Sequence, residues 1–174
     1  MADIGAEAGI VGSGVYRHFG SKTAILVAMA DRVMDRLMDQ AAKIIAAAPD
    51  DRQALSMLVR DHIEVALTDR DALAVYHREV RTLPEDERRR LSRAQRHYIE
   101  EWVHILDVLR PEADDAVLRA LVHAGIGAVH STLFYSSGLP ADRLAKLMAA
   151  AAEATLFIPD SGPDAPAARP RLEP

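Results

Sequence analysis

The chain has 174 residues, enough for one domain or one domain with a small appendage, and 49% of them are hydrophobic, too many for a disordered chain. It has no cysteine, which excludes disulfide scaffolds, thiolate zinc sites, iron–sulfur clusters and cysteine nucleophiles. With 5% aromatic residues and many Ala, Leu and Met it argues against an all-β fold, and its net charge of −5 confines any nucleic-acid contact to a local patch.

Residues 3–9 form a short helix in this reading, stopped by Gly9. Gly12, Ser13 and Gly14 loosen the chain before Val15-Tyr16-Arg17-His18-Phe19, where Val15 and Phe19 share a helical face. Gly20 ends that element and Ser21 caps the next. From Lys22 to Ala48 the apolar residues Ile25, Leu26, Met29, Val33, Leu37, Ala41 and Ile44 keep a helical period. Pro49-Asp50-Asp51 ends this long helix and opens one over 52–68, followed by a weaker segment over 70–82. Pro84 restarts the chain into a helix over 85–109, stopped by Arg110-Pro111. Helices over 114–136 and 140–157 follow, both unusually apolar, the second opening at Pro140. Five of the nine prolines fall in 159–174, which reads as a disordered tail. Uninterrupted apolar runs fall far short of the ~20 residues of a membrane helix, and no basic-then-apolar leader opens the chain, so a cytoplasmic protein is expected.

The first 22 residues have the size of a helix-turn-helix. Ile4 and Ala8 would pack the first short helix on Val15 and Phe19 of the second. Its outer face then presents Ser13, Gly14 and Arg17 for bases, with Tyr16, His18 and Lys22 for phosphates. Lys22 is informative because a cation in the first turn of a helix opposes the macrodipole, and a nearby phosphate would reverse that cost.

On Ile4, Ala8-Gly9-Ile10, Val15-Tyr16-Arg17-His18-Phe19 and Ser21-Lys22, followed by the long amphipathic helix, the sequence resembles the TetR family of bacterial transcriptional regulators. Motif resemblance covers roughly residues 3–35, and helix count and lengths match beyond. The resemblance implies an all-α homodimer without enzymatic activity or cofactor. Its N-terminal helices would bind a palindromic double-stranded DNA operator, and its C-terminal bundle a small effector that releases DNA. The implied division is 1–24 for the helix-turn-helix region, 25–48 for a connecting helix, 49–158 for effector binding and dimerisation, and 159–174 for the tail.

Two features depart from the family. Val11 stands where a capping Ser or Thr is usual, with Ser13 as the alternative cap. The family also has a whole helix and a Thr-containing turn before the equivalent of Met1, which are absent here. That helix forms a wall around Ile4, Ala8, Val15 and Phe19, where fully burying one Ile or Phe stabilises by roughly 1.5–3 kcal/mol. The expectation is that a parent with that helix binds DNA, and that this chain binds weakly or not at all. A dimeric helical small-molecule binder without DNA-binding activity is the alternative.

The pocket candidates are His62, Tyr76, Tyr98, Trp102, His130 and Phe134, which combine apolar bodies with polar tips and suit a mostly apolar ligand. Simple core positions are the competing reading for each. The methionines between 29 and 38 read as adaptable core where the reading head meets the effector region. Gly125 and Gly127 weaken their helix by about 1 kcal/mol each relative to Ala, and close approach of another helix would offset that. With the small residues around 145–154 they suggest a dimer face of Leu121, Gly125, Val129, Leu144, Met148, Ala151 and Ala152; close packing inside the chain is the alternative. The arginines at 88–90, 93 and 96 read as a self-neutralised helix face through Glu85–Arg89, Asp86–Arg90 and Arg96–Glu100. Glu101-x-x-His104 lacks the second motif and inward glutamates of a di-iron bundle, so no metal is expected.

Overall fold

The computed structural model describes residues 20–159, which form six α-helices with no strand among the described residues. In chain order they are α1 (Lys22–Ala47), α2 (Asp51–Thr68), α3 (Arg70–Glu79), α4 (Glu85–Leu109), α5 (Asp115–His130) and α6 (Ala141–Leu156). The expected reading head and proline-rich tail lie outside the described residues, apart from the start of α1 and Pro159.

The helix starts follow local capping chemistry. Ser21 is extended and its Oγ accepts from Ala24 N at 3.0 Å. Asp50 accepts from Gln53 N at 2.7 Å, and Asp114 from Val117 N at 2.9 Å. Each side chain satisfies one of the otherwise orphaned N–H groups of the first turn. Pro84 and Pro140 occupy the capping positions of α4 and α6 without a side-chain hydrogen bond.

Two elements end earlier than the apolar pattern suggests. The helix expected over 114–136 stops at His130 and tightens into a 3₁₀ turn over Ser131–Leu133. Ser131 Oγ and Thr132 Oγ1 bond back to the carbonyls of Ala128 and Val129, competing with continuation of the α-helix. Arg70 then takes the carbonyls of Thr132 and Tyr135 at 3.1 and 2.7 Å, and Gly138 turns the chain at φ +67°. The segment over 70–82 likewise divides into α3 and a 3₁₀ turn over Val80–Thr82, where Thr82 Oγ1 bonds the carbonyl of Glu79.

Helix α2 runs through the middle of the bundle, packing against α1, α4, α5 and α6. Leu58, Val59, Leu106, Val122 and Leu156 are completely buried in this main core. A smaller cluster, Leu26, Ala30, Leu83 and Leu91, joins the first half of α1 to the start of α4. α5 and α6 form the most extensively packed pair. The stretch Asp115–Leu133 has a mean hydropathy of 1.2, enough by length and composition alone to cross a membrane. It contains Asp115, Arg119 and His123 and packs against α2, α4 and α6, as a core helix of a bundle does.

One tie that sequence periodicity does not announce is Arg110. It is buried, and its guanidinium donates to the carbonyls of Leu156 at 3.2 Å and Ile158 at 2.7 Å, while Glu112 balances its charge at 2.8 Å. A stop signal at the end of α4 thus also caps the end of α6. Of the three expected ion pairs on α4, Arg89–Glu85 forms. Arg90 instead takes Glu87 and, across to α1, Asp31 at 2.7 and 2.9 Å. Glu100 is taken by Arg119 of α5. Tertiary partners with two-pronged geometry displace the pairs expected along the helix.

Candidate functional site

A cavity of about 50 Å³ lies between α1, α2, α3, α4 and α5. α1 supplies one apolar wall, with Met29, Val33, Met34 and Leu37. These recur at helical spacing, so the core-facing stripe of a single helix forms a continuous side of the cavity. No Lys, Arg, Asp or Glu lines it among the described residues.

Four of its polar side chains form a connected cluster. His62 on α2 lies 3.2 Å through Nδ1 from the Tyr98 hydroxyl and 3.0 Å through Nε2 from His130 Nε2. The His130 ring is edge-on to His77 of α3, with centroids 4.9 Å apart. Burial, and secondarily the neighbouring His130, push His62 down to about 3; burial, and secondarily His77, push His130 down to about 4. Burial also lowers His77 and raises Tyr76 and Tyr98. At neutral pH this cluster is therefore uncharged, a set of hydrogen-bonding groups in an apolar chamber.

Four of the six pocket candidates, His62, Tyr76, Tyr98 and His130, line the cavity. Trp102 stands behind them, 1% exposed, edge-on to both His62 and Tyr98. Phe134 is 61% exposed beyond the end of α5, edge-on to His77 rather than lining the chamber. The early end of α5 moves Phe134 off the inward-facing stripe. His77 and Gln95 line the cavity but were not singled out from the sequence. His77 was detectable as the neighbour of Tyr76, whereas Gln95 sits in a run of charges that gives no sign of facing inward.

The DNA-reading candidates Ser13, Gly14, Tyr16, Arg17 and His18 lie outside the described residues. Lys22 is exposed in the first turn of α1, and its Nζ donates to Glu79 Oε2 of α3 at 3.1 Å. In this structure, then, the anion facing that cation is a carboxylate of the same chain.

The dimer-face candidates separate into two groups. Gly125, Val129 and Ala152 are buried inside the chain. A Cβ on Gly125 would lie 3.4 Å from Leu156 Cγ and Cδ2, so the missing side chain serves the close approach of α6 to α5. Leu121, Leu144, Met148 and Ala151 are half-buried along the same helix pair. The open surface beside them carries Ala120, Ala124, Gly127 and the half-exposed Leu147. Nothing lies within 4 Å of a Cβ placed on Gly127.

Residues 1–29 match the family described as bacterial regulatory proteins, tetR family, and residues 46–132 match the tetracyclin repressor-like C-terminal domain. The HTH-type transcriptional repressor KstR2 of Rhodococcus jostii (strain RHA1) is 31% identical over 108 residues, covering 62% of this chain and 53% of that protein. The match thus spans about half the length of this relative. A TetR-family transcriptional regulator from Bordetella parapertussis 12822 superposes with a TM-score of 0.72 at 24% identity, over 87% of this chain and 81% of that one. The TetR-family regulator PfmR from Thermus thermophilus gives 0.70 at 18% identity over 89% and 86%. The ketosteroid transcriptional regulator KstR2 of Mycobacterium tuberculosis gives 0.69 at 19% identity over 87% and 81%. These structural likenesses establish the all-α fold, and the second family match spans half of the chain. The chain belongs to the TetR family of bacterial transcriptional regulators.

Proposed function

We propose that the protein is a ligand-responsive repressor that binds a palindromic operator as a homodimer and leaves it when a small, mostly apolar molecule enters the cavity. The observation that supports this reading is the wall supplied by α1. The helix that begins where the reading head ends is also one side of the chamber.

The cavity volume of about 50 Å³ is well below the roughly 300–1,000 Å³ of ordinary small-molecule sites. A ligand must therefore widen it. α1 is joined to its neighbours by exposed or part-exposed ion pairs, Lys22–Glu79, Asp31–Arg90, Arg32–Asp69 and Arg36 with Glu64 and Asp69. Such pairs contribute about 0–1 kcal/mol each and can re-form after a small displacement. Met29 and Met34 supply flexible side chains on the moving wall. A shift of α1 re-aims each reading head, so operator and ligand favour different positions of the same helix. For the homodimer, the open small-residue surface of α5 and the exposed Leu147 on α6 are the proposed contact.

The test is selection from random duplex DNA, with sequencing, for this chain and for one extended upstream in frame. The expected result is a palindrome enriched by at least one of them, with affinity falling steeply with salt. Failure of both to enrich any sequence overturns the operator reading and leaves a helical ligand-binding protein.

A further inference from the structure

The polar cluster of the cavity has a direction. The Tyr98 hydroxyl is buried, and its hydrogen-bond partner among the described residues is His62 Nδ1 at 3.2 Å. A buried hydroxyl proton left without an acceptor is costly, so Tyr98 donates to His62 Nδ1. His62 then carries its own proton on Nε2 and donates it to His130 Nε2. That leaves the His130 proton on Nδ1, an atom without a hydrogen-bond partner among the described residues. Histidine tautomers follow from such networks rather than from heavy-atom positions, and this assignment is the one that gives the buried Tyr98 proton an acceptor.

The chain of bonds therefore ends in one N–H donor on a residue that lines an apolar cavity. We propose that the ligand is uncharged, mostly hydrocarbon, and carries a carbonyl oxygen that accepts the Nδ1–H of His130. This rests on the cavity being the ligand site. A carboxylate would enter a chamber whose lining holds no cationic side chain among the described residues. Binding only as its neutral acid, it would be on the order of a thousandfold weaker at pH 7.5. A hydrocarbon without oxygen would leave the donor unpaired when the cavity closes over it.

Trp102 is the only tryptophan in the chain and touches the bonded chain, so its emission reports binding. The probes are 2-decanone, decanoate and n-decane, titrated without DNA at pH 7.5. The expected order is 2-decanone tightest, n-decane at least tenfold weaker, and decanoate weaker by about a thousandfold. His130→Phe should abolish the preference for the ketone over the alkane while retaining alkane binding, which shows that the variant folds. Nitrogen-15 NMR of the ligand-free protein should find His62 protonated on Nε2 and His130 on Nδ1. Equal binding of decanoate and ketone, equal binding of ketone and alkane, saturable binding of none, or the opposite tautomers would each overturn the proposal. Operator release is measured separately. A ketone that binds as expected and leaves DNA occupied refutes the release mechanism alone, whereas decanoate that binds tightly and releases DNA refutes the ligand chemistry alone.

Discussion

Acidification from pH 7.5 to 5.0 should destabilise the fold through the buried histidines. In the unfolded chain both His62 and His130 have the ordinary value near 6.5, while in the folded protein they fall to about 3 and about 4. A folded-state value below the unfolded one means that stability is complete above pH 6.5 and is lost as pH falls toward the folded value. At pH 5.0 the unfolded imidazoles are about 1.5 pH units below their midpoint, which costs about 2 kcal/mol for each histidine. His77, lowered by burial, adds in the same direction. Asp61, raised by desolvation and eased by Arg36, works the other way as it takes up a proton. Asp50, Glu100 and Glu112 are held below their ordinary values by hydrogen bonds, so their contributions are lost only at lower pH. The net loss of up to about 4 kcal/mol is large against a typical total of roughly 5–15 kcal/mol. Urea titrations at fixed protein concentration, followed by Trp102 emission and helical circular dichroism, should show the midpoint falling by about 2 M for a slope near 2 kcal/mol/M. The double variant His62→Phe, His130→Phe should flatten that dependence. A wild-type midpoint unchanged between pH 6.5 and 5.0 would refute the claim that these rings are held neutral by burial.

The two glycines of α5 should behave oppositely. Gly125→Val forces methyl groups onto Leu156 and the Ala152 carbonyl and should cost about 1–3 kcal/mol of fold stability in urea titrations. Gly127→Leu meets open space in the protomer, so it should leave stability intact and weaken the homodimer tenfold or more in sedimentation equilibrium; an unchanged dimer removes this face from the interface. Glu79→Gln releases Lys22 from its exposed pair and should raise operator affinity by up to about fivefold, the ceiling for a pair worth about 1 kcal/mol. Arg110→Met removes the buried cap on the end of α6 and should destabilise by about 2–4 kcal/mol, with faster hydrogen exchange confined first to the last turn of that helix.

The helical body was readable because its signals are local. Ser21, Asp50 and Asp114 cap the helices they precede, and the apolar stripe of α1 has one period throughout. What escaped depends on contacts distant in sequence. Arg110 reads as the end of α4, yet its role is set 46 residues later by the Leu156 carbonyl. Gly125 signals a close approach, but the sequence cannot say whether the approaching helix belongs to the same chain, and here it is α6. The pocket candidates were found by their chemistry, a ring with a polar tip on an inward stripe. That criterion admits Trp102, which faces the cluster from behind, and Phe134, which the early end of α5 carries outward. It misses Gln95, whose neighbours on α4 are mostly charged.

On the proposed release mechanism, the energetics of opening the cavity set the kind of ligand that can act. Displacing α1 disturbs chiefly the ion pairs along its edges, each worth about 0–1 kcal/mol, and the apolar contacts of Met29, Val33 and Met34. A hydrocarbon body returns about 0.8 kcal/mol for each CH₂ it buries, so five or six such groups supply about 4–5 kcal/mol. That is close to the roughly 5.5 kcal/mol of differential binding that would turn a 1:99 equilibrium into 99:1. Smaller molecules fit the present volume without moving α1 and therefore cannot distinguish its two positions. In this scheme hydrocarbon length controls release, and the His130 end controls which molecules of sufficient length are accepted.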